Sequence, residues 1–238
     1  MTSKKKFTVE EIQRRFDNDV ERFSNLETGQ QATIDAALVL DLVANLTATH
    51  VPKGGTVLDL GCGAGNFTIR VLQKTGPLHC YLVDLSFPML ERAEQRVQQT
   101  KALSIQTIQK DLRLLEFPEA QFDLILSGAA FHHLREESEW EMVFQNLQQW
   151  LKPGGRLYVF DLVIFDDPGI QAIMWKRYGK YLEELKGKEY REHVFAYIED
   201  EDTPRSLPFQ LRLLEKSGFA SYEVLHRNSV FACYSAIK

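Results

Sequence analysis

Short apolar runs alternate with amphipathic stretches through the middle of the chain. Thr56–Leu60, Cys80–Val83, Ile105–Ile108, Phe122–Leu126 and Arg156–Val163 have the length and residue types of β-strands. Between them, Asn66–Lys74, Pro88–Thr100 and Glu139–Leu151 read as helices. Strands separated by helices of this length predict βαβ units, a mostly parallel sheet and right-handed crossovers. Pro52-Lys-Gly-Gly55 breaks the chain ahead of this core, and Lys152-Pro-Gly-Gly155 ends its last helix.

The flanks have a different rhythm. Thr8 to about Phe16 predicts a helix, with Thr8 as cap and Glu11 completing a capping box. A polar loop through Ser24, Asn25 and Gly29 follows. Thr33–Ala48 predicts an amphipathic helix with Ile34, Ala37, Leu38 and Leu42 on one face, and Asp35 and Asp41 toward the other. Asp166–Asp202 mixes Trp175, Tyr178, Tyr181, Tyr190, Phe195 and Tyr197 with charge, and predicts an inserted helical cap. Thr203–Ser217 predicts a helix with Pro204 in its first turn and Gly218 as its stop. Two strands, Ser221–Leu225 and Val230–Ile237, close the chain as a hairpin around Arg227-Asn228. The expected organisation is N-terminal helices covering the site (1–52), an α/β core (53–165), a cap (166–202) and a closing helix with a strand pair (203–238).

A length of 238 residues suits one generous domain or a domain with a cap. The formal net charge of -5 offers no general attraction for nucleic acid. No apolar run is long enough to span a bilayer. Lys4, Lys5 and Lys6 are not followed by the apolar stretch of a secretory signal. Cys62, Cys80 and Cys233 form neither a CxxC pair nor a zinc-ligand spacing. Free thiols in a reducing cytoplasm are expected, with no metal and no membrane partner; a homodimer is left open.

The chemistry concentrates at Val57-Leu-Asp-Leu-Gly-Cys-Gly-Ala-Gly65, where a strand runs into a glycine-rich turn and then a helix. Glycines allow positive φ and close approach of a ligand, and the helix start offers unpaired N–H donors. Asp59 suits an amino-bearing ligand better than a pyrophosphate. The spacing GxGxG also departs from the GxGxxG dinucleotide fingerprint. Asp84 closes the next strand, where a carboxylate can accept from both ribose hydroxyls; its alternative role is a simple helix cap before Pro88. Asp111 and Leu112 follow the third strand, where they could meet an exocyclic amine and cover a ring.

Val57–Gly65, Val83-Asp84, Lys110-Asp111-Leu112, Phe122-Asp-Leu-Ile-Leu-Ser127 and Leu151-Lys-Pro-Gly-Gly155 together resemble the successive motifs of the class I S-adenosyl-L-methionine (SAM)-dependent methyltransferases. The resemblance implies a Rossmann-like α/β fold of about seven strands with an antiparallel last strand, and SAM as cofactor. It implies that Gly61, Gly63 and Gly65 pack under the methionine moiety and that Asp59 holds its ammonium. Asp84 would take the ribose, Asp111 with Leu112 the adenine, and Ser127 the carboxylate or sulfonium end. Cys62, Leu85 and Met89 complete the candidate cofactor wall.

Methyl transfer from a sulfonium chiefly needs alignment and exclusion of water, with a base only where the acceptor loses a proton. His132 and His133, just past the fourth strand, are the candidate catalytic pair. Asp161, Tyr178, Tyr197 and Arg205 are further candidates on the cap side. The C-terminal part more loosely resembles the carboxy-S-adenosylmethionine synthases, with Phe23-Ser-Asn25 fitting their N-terminal layout. That family implies an arginine for the extra carboxylate, whereas Glu199-Asp-Glu-Asp-Thr-Pro-Arg205 is acidic, which favours ordinary SAM. The leading reading is a methyltransferase for a small-molecule acceptor. An enzyme of RNA modification and a non-catalytic SAM-binding module are the alternatives, and a NAD-linked dehydrogenase falls behind on the turn spacing.

Overall fold

The computed structural model describes residues 6–25 and 30–238. Lys4, Lys5 and Gly29 lie outside the described residues. Seven strands form one sheet: β1 (Thr56–Leu60), β2 (His79–Asp84), β3 (Ser104–Gln109), β4 (Phe122–Gly128), β5 (Leu151–Leu162), β6 (Ser221–Asn228) and β7 (Phe231–Ile237). Their order is β3-β2-β1-β4-β5-β7-β6. The first five run parallel, and β7 lies antiparallel between β5 and β6. Because β1 neighbours both β2 and β4, the order reverses there. A crevice opens at the carboxyl ends of β1 and β4, the usual ligand position in such sheets.

The helices are α1 (Val9–Asn18), α2 (Val20–Phe23), α3 (Ala36–His50), α4 (Asn66–Lys74), α5 (Phe87–Val97), α6 (Glu137–Trp150), α7 (Pro168–Lys186), α8 (Lys188–Glu201) and α9 (Leu207–Lys216). Strand alternation sorts the core into two layers. Val57, Leu82, Leu124 and Leu126 face α3, α4, α5 and the inner side of α7 and α8. Leu58, Leu60, Ile125 and Leu157 face Trp140, Phe144 and Leu147 of α6 and Leu214 of α9.

Several boundaries differ from those the sequence predicts, for identifiable reasons. Asp35 adopts φ 62° and starts α3 at Ala36, leaving Ile34 outside the helix. The buried face of α3 is Val39, Leu40, Val43, Ala44 and Thr47, while Leu38 is 58 % exposed. The first turns of α3, Ala36 to Ala44, are apolar but for Asp41, so no period there selects one face; packing on α4 and the sheet selects it. Helix α9 starts at Leu207 rather than Thr203, because the Ser206 hydroxyl accepts from Phe209 N and Pro208, not Pro204, occupies the first turn. The last hairpin turns at Ser229-Val230, with Ser229 at φ 51°, so Arg227 and Asn228 belong to β6. The Lys152–Gly155 stretch that ends α6 also begins β5. Thr8 does cap α1 in a reciprocal capping box with Glu11.

Candidate active site

Strand β1 delivers Asp59 and the glycine turn to the crevice. Gly61, at φ 66°, passes so close to β4's exit that a Cβ would stand 2.6 Å from the Ala130 Cβ. Gly63, at φ 51°, faces open space, leaving its backbone accessible from the cavity. Gly65 serves the fold instead, because at φ 81° it begins α4 against Ala93 of α5 and does not line the cavity.

Two carboxylates bracket this turn. Asp59 is 1 % exposed, and its Oδ2 accepts from the Thr68 hydroxyl at 2.7 Å and the Thr68 amide at 3.3 Å. Burial pushes its carboxyl up to about 6, against the pull of Thr68. Asp84 Oδ2 accepts from Gly63 N at 2.8 Å, and its Oδ1 accepts from Ser86 N at 2.9 Å. Burial also raises Asp84, more than these backbone donors lower it. Ser86, not Asp84, caps α5, so Asp84 acts on the turn and the cavity instead.

Cys62, Leu85, Met89, Asp111 and Leu112 line the same cavity. Burial penalises the Asp111 carboxylate, but the Arg113 side chain and amide outweigh that and hold its pKa below the ordinary value. Ser127 departs from expectation. It is fully buried in β4 and off the cavity wall, while its neighbours Gly128, Ala129 and Ala130 reach it.

At the other end of the cavity, β4 runs into a single tight turn, Phe131–His133. Asp161 of β5 organises it. Its Oδ2 accepts from Phe131 N at 2.8 Å and His132 N at 3.2 Å. Its Oδ1 accepts from Leu162 N at 2.7 Å and bonds His132 Nδ1. Asp202, just after α8, lies 3.7 Å from His132 Nε2 and 3.3 Å from His133 Nδ1. Burial by itself lowers the His132 pKa, yet Asp161 and Asp202 outweigh it and raise the imidazole to about 9. Burial and then the neighbouring His132 push His133 well below its usual value. Burial raises Asp202 to about 6.

Residues outside the candidate site set complete the cavity. Arg15, Phe16 and Phe23 of α1 and α2 line it, as do Asn66, Tyr190 and Asp202. Phe16 sits edge-on to His133 with ring centres 5.8 Å apart, and Arg15 pairs with buried Glu201 at 2.6 Å. Asn66 Nδ2 donates to Phe23 O at 2.9 Å, tying the N-terminal helices to the start of α4. Tyr178 and Tyr197 line the cavity, with Tyr178 Oη donating to Ala32 O. Arg205 does not reach it; its guanidinium donates to Arg135 O and lies over Phe209. Trp175 and Phe195 stack at 4.6 Å between α7 and α8.

The sequence profile of the methyltransferase domain matches residues 57–155, from the strand before the glycine turn to the second glycine of Lys152-Pro-Gly-Gly155. Over that stretch the chain carries a methyltransferase domain, of the SAM-dependent kind its motifs resemble. It is 28 % identical over 175 residues to a demethylmenaquinone methyltransferase of Listeria monocytogenes, covering 72 % of each chain. The crystal structure of the [4+2]-cyclase SpnF superposes with a TM-score of 0.66 at 14 % identity, covering 99 % of this chain and 97 % of that one. Phosphoethanolamine N-methyltransferase 2 of Haemonchus contortus, in complex with SAM, gives 0.65 at 15 % identity, covering 93 % and 57 %. At those identities the two structures speak to the fold alone.

The methyltransferase's own residues fit SAM. An open glycine backbone at the switch point, a buried carboxylate beside it and Asp84 at the end of β2 match an amino acid joined to a nucleoside. When bound, SAM supplies a methyl group made electrophilic by the positive sulfur. The chain's part is to bind, orient and exclude water. Among the described residues, no helix is long and apolar enough to cross a membrane.

Proposed function

We propose that this methyltransferase methylates an apolar, ring-bearing small molecule through a hydroxyl, or a carbon activated by one. One observation carries the reading: a single continuous cavity joins Asp59, Gly63, Asp84 and Asp111 at one end to His132, His133 and Asp202 at the other. Its acceptor end is walled by Phe16, Phe160, Leu162, Tyr178 and Phe231, which suit a flat apolar ring. The Listeria relative, a demethylmenaquinone methyltransferase, supports the same acceptor chemistry. The histidine–aspartate cluster stands at that end, where it holds and orients the acceptor's hydroxyl. All three cysteines are free and buried, which supports a reducing, cytoplasmic setting.

The test is calorimetric binding of SAM, S-adenosylhomocysteine and NAD, followed by transfer of labelled methyl from SAM to a panel of quinols and phenols. SAM and S-adenosylhomocysteine should bind and NAD should not; absence of SAM binding would overturn the reading. His132→Ala should bind S-adenosylhomocysteine like the wild type and turn over ~100-fold or more slowly, the scale of a lost proton-handling group. A turnover deficit matched by an equal loss of binding would instead give His132 a structural role.

Asp59 supplies a pH signature. With its carboxyl near 6, it is neutral below that pH and cannot pair with the cofactor's ammonium. Affinity for S-adenosylhomocysteine should be flat from pH 7 to 8 and fall by up to about tenfold per unit below pH 6. Asp59→Asn should lose that dependence. For folding without ligand the sign is opposite. A carboxyl raised from 3.8 to about 6 contributes most below its unfolded value and loses the contribution as pH rises through 6. The loss amounts to about 3 kcal/mol.

A further inference from the structure

The fold assembles a ligand set that no spacing in the chain announces. His132 Nε2, His133 Nδ1 and Asp202 Oδ1 come from the turn after β4 and the end of α8, and each residue lines the acceptor end of the cavity. Asp202 Oδ1 lies 3.3 Å from His133 Nδ1 and 3.7 Å from His132 Nε2, and one ligand atom from each residue falls within 4.8 Å of the others. Donors about 2.0–2.1 Å from a tetrahedral ion stand about 3.4 Å from one another, so Asp202 already stands near that spacing from both histidines, and the rings have to close on each other from within 4.8 Å.

Two further observations point to a cation. Neither ring nitrogen of His133 makes a hydrogen bond, nor does Asp202 Oδ1, although all three atoms are sealed from water and Asp202 is 5 % exposed. Buried polar atoms without partners are costly, and a bound ion would satisfy them. The local charge is also unbalanced. Asp161, Glu201 and Asp202 are all buried here, and the guanidinium in direct contact with them is Arg15, on Glu201. Lys6 Nζ donates to the Asp202 backbone carbonyl at 2.6 Å, and Asp161 and Asp202 share the one His132 imidazole, so two buried carboxylates face a single ring. Asp161 meanwhile holds His132 Nδ1, which aims Nε2 at the site in the carboxylate–histidine arrangement common around metals.

We propose that His132, His133 and Asp202 hold one divalent cation of the zinc class, with its open position facing the acceptor. Two imidazoles and one carboxylate suit zinc, cobalt(II) or iron(II) better than magnesium or calcium. This rests on the methyl-transfer reading and specifies how the cluster handles the acceptor. A hydroxyl bound to the ion loses its proton to solvent water, its O–H bond breaks, and the resulting oxyanion stays on the metal facing the cofactor.

The experiment uses the untagged full-length protein, stripped with chelator and titrated with Co²⁺ by absorption and with Zn²⁺ by calorimetry. One equivalent should bind, with the visible bands of low-coordinate cobalt. Asp202→Asn and His133→Gln should each weaken Zn²⁺ binding ~10-fold or more, while S-adenosylhomocysteine binding stays at the wild-type level. Binding of less than one equivalent, or equal affinity in both variants, would overturn the metal site. If S-adenosylhomocysteine fails to bind the wild type, the methyl-transfer reading fails on its own account. If metal binding fails while that binding stands, the cluster is a protonated imidazole between two carboxylates.

Discussion

Asp84→Ala should weaken S-adenosylhomocysteine binding at least about a hundredfold. The carboxylate does two things at once. Through Gly63 N and Ser86 N it ties the glycine turn to the start of α5, and it stands where a pair of ribose hydroxyls would donate. Hydrogen bonds to a charged acceptor contribute about 1.5–3 kcal/mol each, so losing two removes at least about 3 kcal/mol of binding. The melting temperature should change little, because water in the cavity can replace the acceptor for both amides. Asp84→Asn keeps one carbonyl oxygen and should fall between wild type and Ala. Calorimetric titration at pH 7.5 measures all three. Wild-type affinity in Asp84→Ala would mean that the cofactor end has been assigned to the wrong residues.

The second large effect falls on stability. Asp161→Ala should lower the melting temperature by about 8 °C or more. One carboxylate accepts from the amides of Phe131, His132 and Leu162 and from the His132 ring. Those residues are 0 %, 8 % and 3 % exposed, so water cannot readily replace the lost acceptor. Leaving buried donors unsatisfied costs about 1–3 kcal/mol each. For a chain of this size each kcal/mol shifts the midpoint by about 2–4 °C. Asp161→Asn, which retains one acceptor oxygen, should lose less. A thermal melt followed by circular dichroism decides it. A drop below about 2 °C for Asp161→Ala would show that the turn bearing both histidines is held by something else.

These two aspartates differ in how far the chain declares them. Asp84 could be read from order alone, because a strand, a glycine turn, a helix and a second strand ending in a carboxylate are contiguous and their periods are local. The same holds for Asp59, Gly61 and Gly63, and for the parallel part of the sheet, since strand length and crossover rules act over a few tens of residues; the reversed last strand was implied by the resemblance of the motifs. Asp161 could be named only as one of several cap-side candidates, with nothing to pair it with His132. It lies 29 residues from His132, inside a strand that reads as ordinary core.

Asp202 was legible only as one of several acids in an exposed-looking run, yet it is 5 % exposed at the acceptor end of the cavity. Arg15 and Phe16 sit on a helix whose capping box predicts its start but not what it will cover. Ser127 and Gly65 fail in the opposite sense. Their motifs are contiguous, but the pleat turns Ser127 into the core and close packing on Ala93 occupies Gly65. By itself, then, the sequence determined the fold class and the glycine turn with the carboxylates beside it, because local periodicity and backbone freedom settle those. Only the tertiary structure decided which helix faces are buried, which acids meet the histidines and what closes the cavity. Those depend on contacts between residues far apart in the chain, and no local pattern encodes them.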